Sequence, residues 1–256
     1  MTISLDYIAE LLQLYLLPFF RIGALFLTMP VIGTRVVSPR VRVILAALIT
    51  MVVVPILPAH QPLPLFSLDM LGRVAFEVLL GGTAGFVFQI VFQCFVLTGQ
   101  LVAMKIGLGF ASMNDPANGV QTTVISQFYL VAATLLFVVY DAHLVLIELV
   151  AESFFTIPVG QASSIDFMAL AKLGSWLFAS ALLMSIALLT ALLLVNVAFG
   201  VMSRAAPQLN IFAVGFPFTL TLGMLLIWLG LGGVIAFFER VVEFGFVVVN
   251  DILRLT

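Results

Sequence analysis

The sequence predicts an all-α membrane protein of about six long, kinked hydrophobic helices interrupted by one internal loop, and three observations carry that prediction. The first is composition. Of 256 residues, 63% are hydrophobic and 9% charged, with a mean hydropathy of +1.29, which is too apolar for a soluble globular domain. The second is segmentation. Six apolar stretches, roughly Leu5 to Val31, Val43 to Leu57, Val74 to Met104, Val124 to Val150, Leu173 to Met202 and Phe216 to Val249, each approach or exceed the roughly 20 residues that cross a hydrocarbon layer. The third is where the cations fall: seven of the ten lysines and arginines lie in the connectors between those stretches.

The same composition excludes whole classes of function. A net charge of −2 without a basic run removes the electrostatic footprint of a nucleic-acid binder. The single cysteine, Cys94, cannot form an internal disulfide and has no partners for thiol ligation of a metal. His143 and Glu148 do not have the metalloprotease spacing. Gly107, Gly109 and Ser112 lack the third glycine and preceding strand of a dinucleotide fingerprint. No catalytic, cofactor-binding or metal-binding residue is assigned, and the chain is not expected to be an enzyme. The opening MTISLDYIAE has no lysine or arginine before Arg21, unlike a secretory leader, so the first segment is expected to be retained.

Taken in order, the first segment holds Pro18, Arg21, Gly23 and Pro30. An arginine near the middle of a span costs about 2.5–3.5 kcal/mol on insertion scales, so Arg21 must face protein or water. Fixing the packing against a neighbouring helix is preferred over a transport role. Thr34 to Arg42, with three arginines, Ser38 and Pro39, reads as a linker with a strong positive-inside signal. Pro55, Pro58, Pro62 and Pro64 make the next connector stiff and extended. Arg73 and Glu77, four apart, share a helical face and can offset one another's charge. The third segment then carries Gly81 and Gly85, a small-xxx-small step that admits a second backbone, with Gln89, Gln93 and Gln100 continuing the stripe as groups for interhelical hydrogen bonding.

Between two uncharged runs lies KIGLGFASMNDPANGVQ, whose glycines, Pro116, Asn114, Asn118 and Asp115 deny a regular helix from about Gly107 to Gly119. Backbone without its own hydrogen-bond ladder cannot face lipid, so this loop either leaves the membrane or is enclosed by protein around a watery cavity. Leu108, Phe110 and Met113 are candidate apolar seals for the enclosed case. The fourth segment ends in Asp141, His143, Glu148 and Glu152, read as groups at an aqueous boundary. The fifth and sixth are joined by SRAAPQLNIFAVGFP, where Pro207, Gly215 and Pro217 are expected to break the helix into a hairpin tip. Arg35, Arg40 and Arg42, then Lys105, then Arg204 lie on alternate connectors, which predicts that both termini are outside the cytoplasm.

The strings GLGFASMNDPANG and LLLVNVAFGVMSRAAPQLNIFAVGFP closely resemble the flagellar biosynthetic protein FliR family. Arg21, Pro30, Gly33 and Pro39 to Arg42 resemble it as well, so the similarity covers essentially the whole chain. The resemblance implies a subunit of the flagellar type III protein export gate, forming with FliP and FliQ the channel through which unfolded flagellar proteins cross the bacterial inner membrane, with FlhB and FlhA nearby and membrane lipid around it. It further implies a FliP-like part over residues 1–150 and a FliQ-like helical hairpin over 151–256, with its tip at 203–217. Residues of about 106–121 would form a plug, in which Leu108, Gly109, Phe110, Met113, Asn114, Asp115 and Pro116 act as the gate. The tip would present Arg204, Pro207, Gln208 and Asn210. The assembly would sit in the flagellar basal body, raised toward the periplasm. The injectisome counterpart of the same fold is the alternative, and a secondary transporter of small solutes is the reading from another class.

Overall fold

A computed structural model of the chain describes residues 5–34, 36–58, 67–108, 123–160, 166–205 and 211–255. Those residues form eight α-helices: α1 (Leu5–Thr28), α2 (Pro39–Val53), α3 (Leu68–Ile106), α4 (Val124–Val139), α5 (Ala142–Thr156), α6 (Phe167–Ala205), α7 (Ile211–Leu229) and α8 (Leu231–Leu253), with a 3₁₀ turn at Val54–Ile56. Four of them are long and apolar enough to cross a membrane, and counting each bent pair as one span gives six. The six segments expected from hydropathy are those six. This is an all-α membrane protein.

The structure moves several boundaries, each for a local reason. α2 starts at Pro39, not Val43, because the Ser38 side chain accepts from Val41 N–H and Pro39 suits the first helical position. Half of the arginine-rich linker is therefore helix. The fourth segment is two helices, bent by 63° at Tyr140–Asp141, where Asp141 adopts φ 52°. Aspartate is one of the few residues with a Cβ that enters this left-handed region readily, so no glycine or proline was needed to mark the break. The groups expected at its aqueous end are instead spread along α5. The sixth segment bends by 57° between α7 and α8.

At the hairpin the correction is larger. α6 extends through Ser203, Arg204 and Ala205, and α7 is already helical at Ile211, so Gly215 and Pro217 lie inside a helix and not in the tip. A membrane-type helix tolerates an interior proline where neighbouring groups or water satisfy the carbonyl four residues earlier, here that of Ala213. Pro207, Gln208 and Asn210 lie outside the described residues.

The chain divides into two compact units, each built from separated stretches. The first takes residues 1–90, 137–171 and 242–256. Its core is Leu17, Leu25 and Phe26 of α1, Leu80 and Phe88 of α3, Leu146 and Phe154 of α5, and Val249 and Leu253 of α8. The second takes 91–136 and 172–241. Phe95 packs there against Phe237 and Phe238, with ring centroids 5.9 and 6.0 Å apart, and Phe199 of α6 meets Phe218 of α7 edge-on at 5.4 Å.

Candidate functional site

Arg21 is fully buried, and its guanidinium is matched on every side that the structure describes. Nε donates to Glu77 Oε2 at 2.6 Å, Nη1 to Ser153 Oγ at 3.0 Å and Nη2 to Ile157 O at 3.0 Å. The cation also lies 4.2 Å from the centroid of the Phe154 ring. Glu77, itself fully buried, spends its other oxygen on the Gly160 N–H at 3.1 Å. One charge pair thus ties α1, α3, α5 and the turn after α5 together. Such an arrangement is stable because the desolvated charges neutralise each other and their remaining valences are hydrogen-bonded.

Both residues carry an expectation from the sequence. Arg21 joins three elements of its own chain, through a carboxylate, a hydroxyl and one carbonyl. Helical spacing pairs Glu77 with Arg73; its buried partner is instead Arg21, 56 residues earlier. A signal existed, since Arg21 is the one charge of residues 11–31 and Glu77 the one charge of residues 74–104, and two lone opposite charges solve each other's burial problem. Spacing within one helix could not show it.

A second backbone approaches closely at Gly81 and Gly85. A Cβ on Gly81 would stand 1.8 Å from Arg21 O, and one on Gly85 would stand 2.1 Å from Thr28 Oγ1 and 2.8 Å from Met29 N. The approaching helix is α1 of the same chain. Gln89 and Gln93 are exposed and Gln100 is half-buried, so the amides do not continue the glycine face. An i, i+4 row turns by about 40° per step around a helix of 3.6 residues per turn, and two steps carry it off the contact.

The loop expected from Gly107 begins where the structure ends α3. Leu108 N–H donates to Ala103 O at 3.0 Å and Gly107 N–H to Met104 O at 3.3 Å, with Gly107 at φ 94°. That pair of bonds is a Schellman stop, which closes the last carbonyls and needs a left-handed residue. Lys105, exposed in the last turn, favours the negative helix end. On the return side, α4 starts at Val124, and Ser126 Oγ donates to Val96 O at 2.9 Å. A Cβ on Gly99 would lie 2.4 Å from Ser126 Cα, so α3 and α4 touch backbone to backbone. Of the expected gate residues only Leu108 is described, and it is half-buried. Gly109, Phe110, Met113, Asn114, Asp115 and Pro116 lie outside the described residues.

Sequence reasoning did not single out Thr98, Ser126 or Gly99. Thr98 Oγ1 donates to Cys94 O at 2.8 Å and to Ala181 O of α6 at 3.3 Å, and a Cβ on Gly223 would meet Ile106 Cδ1 at 2.5 Å. Small and hydroxylated residues inside apolar runs are the available signal. Among the described residues no group of three or more histidine, cysteine or acidic side chains could hold a metal ion.

Comparison with known proteins points in one direction. A family model described as bacterial export proteins, family 1, matches residues 12–244. The chain is similar to the flagellar biosynthetic protein FliR of Pectobacterium carotovorum subsp. carotovorum, 38% identical over 92% of this chain and 91% of the relative. With the protein of that name from Escherichia coli (strain K12) it shares 39% identity over 83% of this chain and 82% of the relative. For that of Bacillus subtilis (strain 168) the values are 29%, 87% and 86%.

Proposed function

The chain belongs to the FliR family of bacterial export proteins and is a membrane-embedded component of flagellar protein export, and on that premise we propose that it is a gate subunit. In this reading it joins FliP and FliQ in one complex, beside FlhB and FlhA, and helps form the channel that carries unfolded flagellar proteins across the inner membrane. Residues 1–150 act as the FliP-like part and 151–256 as the FliQ-like hairpin. The complex sits in the basal body, raised toward the periplasm, with the arginine-bearing connectors toward the cytoplasm. The role is structural and gating, not enzymatic.

The observation that carries the gate reading is the way α3 and α4 bracket residues 109–122. Two apolar helices packed backbone to backbone at Gly99 and Ser126 send out, and take back, a polar segment with two asparagines, an aspartate and a proline. Such a segment between membrane helices is tolerated only in water or enclosed by protein. In this reading Leu108 at its root, with Phe110 and Met113 within it, act as apolar seals.

One preparation tests assembly and gating together. Parent and a form with residues 109–119 replaced by a short flexible linker are extracted gently, weighed by native mass spectrometry, and reconstituted for conductance. Both are expected to retain two unlike small membrane proteins, and the deleted form is expected to leak ions. A chain that travels alone or as a homo-oligomer would overturn the assembly, and an assembled but ion-tight deletion would make the loop a connector.

A further inference from the structure

We propose that the groove between α1, α2 and α3 is a binding site for an anionic phospholipid, with an acyl chain along its floor and the phosphate at Arg42. The groove encloses about 200 Å³ and is walled by Phe19, Phe20, Gly23 and Leu27 of α1, Ala46 of α2 and Val78 of α3. Every one of those groups is apolar. The charged residue that lines it is Arg42, at the end where α2 begins.

Arg42 differs from Arg21 in what it lacks. Its Nη2 donates to Thr34 O and, at 2.8 Å, to Val37 O, which are neutral acceptors. No carboxylate among the described residues pairs with it, and its Nε is buried without an acceptor among them. A buried guanidinium donor without a partner costs free energy that an anion would return. Exposed Arg40 and the positive start of α2 add to the same end. The groove therefore presents cation first and hydrocarbon below it, the order of headgroup and tail in a phospholipid. Basic pockets between membrane helices select anionic headgroups on this principle.

The outer side of α2 agrees with lipid as the neighbour, since Ile44, Leu48, Met51 and Val52 are exposed. The proposal rests on membrane embedding alone, not on the gate reading, so either can fail without the other.

The test uses the full chain as extracted from its own membrane, placed in nanodiscs that contain a diazirine-tailed phosphatidylglycerol or the matching phosphatidylcholine. After illumination, labelled peptides are mapped by mass spectrometry. Phosphatidylglycerol is expected to label residues 19–27 or 42–46 about fivefold more than phosphatidylcholine, the factor one basic group gives beside an anionic headgroup. Gly23→Leu should reduce that label to background with unchanged folding, because a Cβ at Gly23 meets no atom within 4 Å and the added side chain has the groove to fill. Arg42→Gln should make the two lipids equal. Should Arg42→Gln disturb the start of α2, Gly23→Leu decides alone. Equal labelling by both lipids in the parent, label that survives Gly23→Leu, or groove peptides joined to another protein with no lipid would each overturn the proposal.

Discussion

In the first unit the bulkiest fully buried side chain is Arg21, while in the second the corresponding groups are Phe95 and Phe238. Both units also use glycine to bring backbones together, Gly81 on α1 in one and Gly99 on α4 in the other. The glycine contacts set distance, and distance is all they share. A buried guanidinium adds a requirement for acceptors at fixed positions, met here by Glu77, Ser153 and Ile157, so the first unit restricts which helices meet and in what register. Phenylalanine faces tolerate many neighbours. Both units leave apolar side chains exposed, Leu48 and Val52 in the first and Phe178, Leu183, Leu194, Val201 and Trp228 in the second, surface that suits lipid or another subunit.

The contrast is most exposed to failure at Glu77. Glu77→Ala should strand the Arg21 charge and lower stability by about 3–5 kcal/mol, read as a shift in the denaturant midpoint of the solubilised chain. The double change Arg21→Met with Glu77→Leu removes both charges and should recover most of that loss. A double variant as unstable as the single would show that the helices do not depend on the pair's charge.

Next in size, Gly81→Ala and Gly99→Ala should each cost about 1–3 kcal/mol, because the new Cβ meets backbone and the helices must move apart. Gly223→Ala should cost less than Gly99→Ala, since its Cβ meets the side-chain end of Ile106, which can turn aside. Thermal unfolding of the three in one detergent orders them. Equal losses would mean that the second unit is as rigid at its side chains as at its backbone.

The smallest effect is expected at Ser126→Ala. Loss of its bond to Val96 O should cost about 0.6 kcal/mol, the average for hydrogen bonds between membrane helices. Hydrogen exchange at the first turn of α4 should quicken correspondingly. A loss as large as that of Glu77→Ala would erase the distinction between the units.

Features with a local physical cause were legible in the sequence, and those with a distant one were not. Hydropathy sums over a window, so the six segments stood out, and Gly107 marked the end of α3 because a left-handed stop asks for a glycine. Proline misled in both directions. At Pro39 the linker reading hid a capped helix start, and at Pro217 the helix continued through a residue expected to end it. The bend at Asp141 escaped because aspartate reaches φ 52° without advertising it. The Arg21–Glu77 pair escaped because its two members are far apart in the chain. The glutamines at spacing four misled because a helical ridge winds off the face on which it starts.

The Schellman stop at Gly107 has a consequence for how this chain can vary. Its two bonds finish α3 using atoms no later than Leu108, so the stop itself asks nothing of the residues after it. Those residues can be lengthened, shortened or replaced without retuning the helix that carries them. A segment mounted in this way is a detachable part. Grafting the corresponding segment of a FliR relative between Leu108 and Thr123 should therefore leave the fold intact and transfer only the behaviour of the loop.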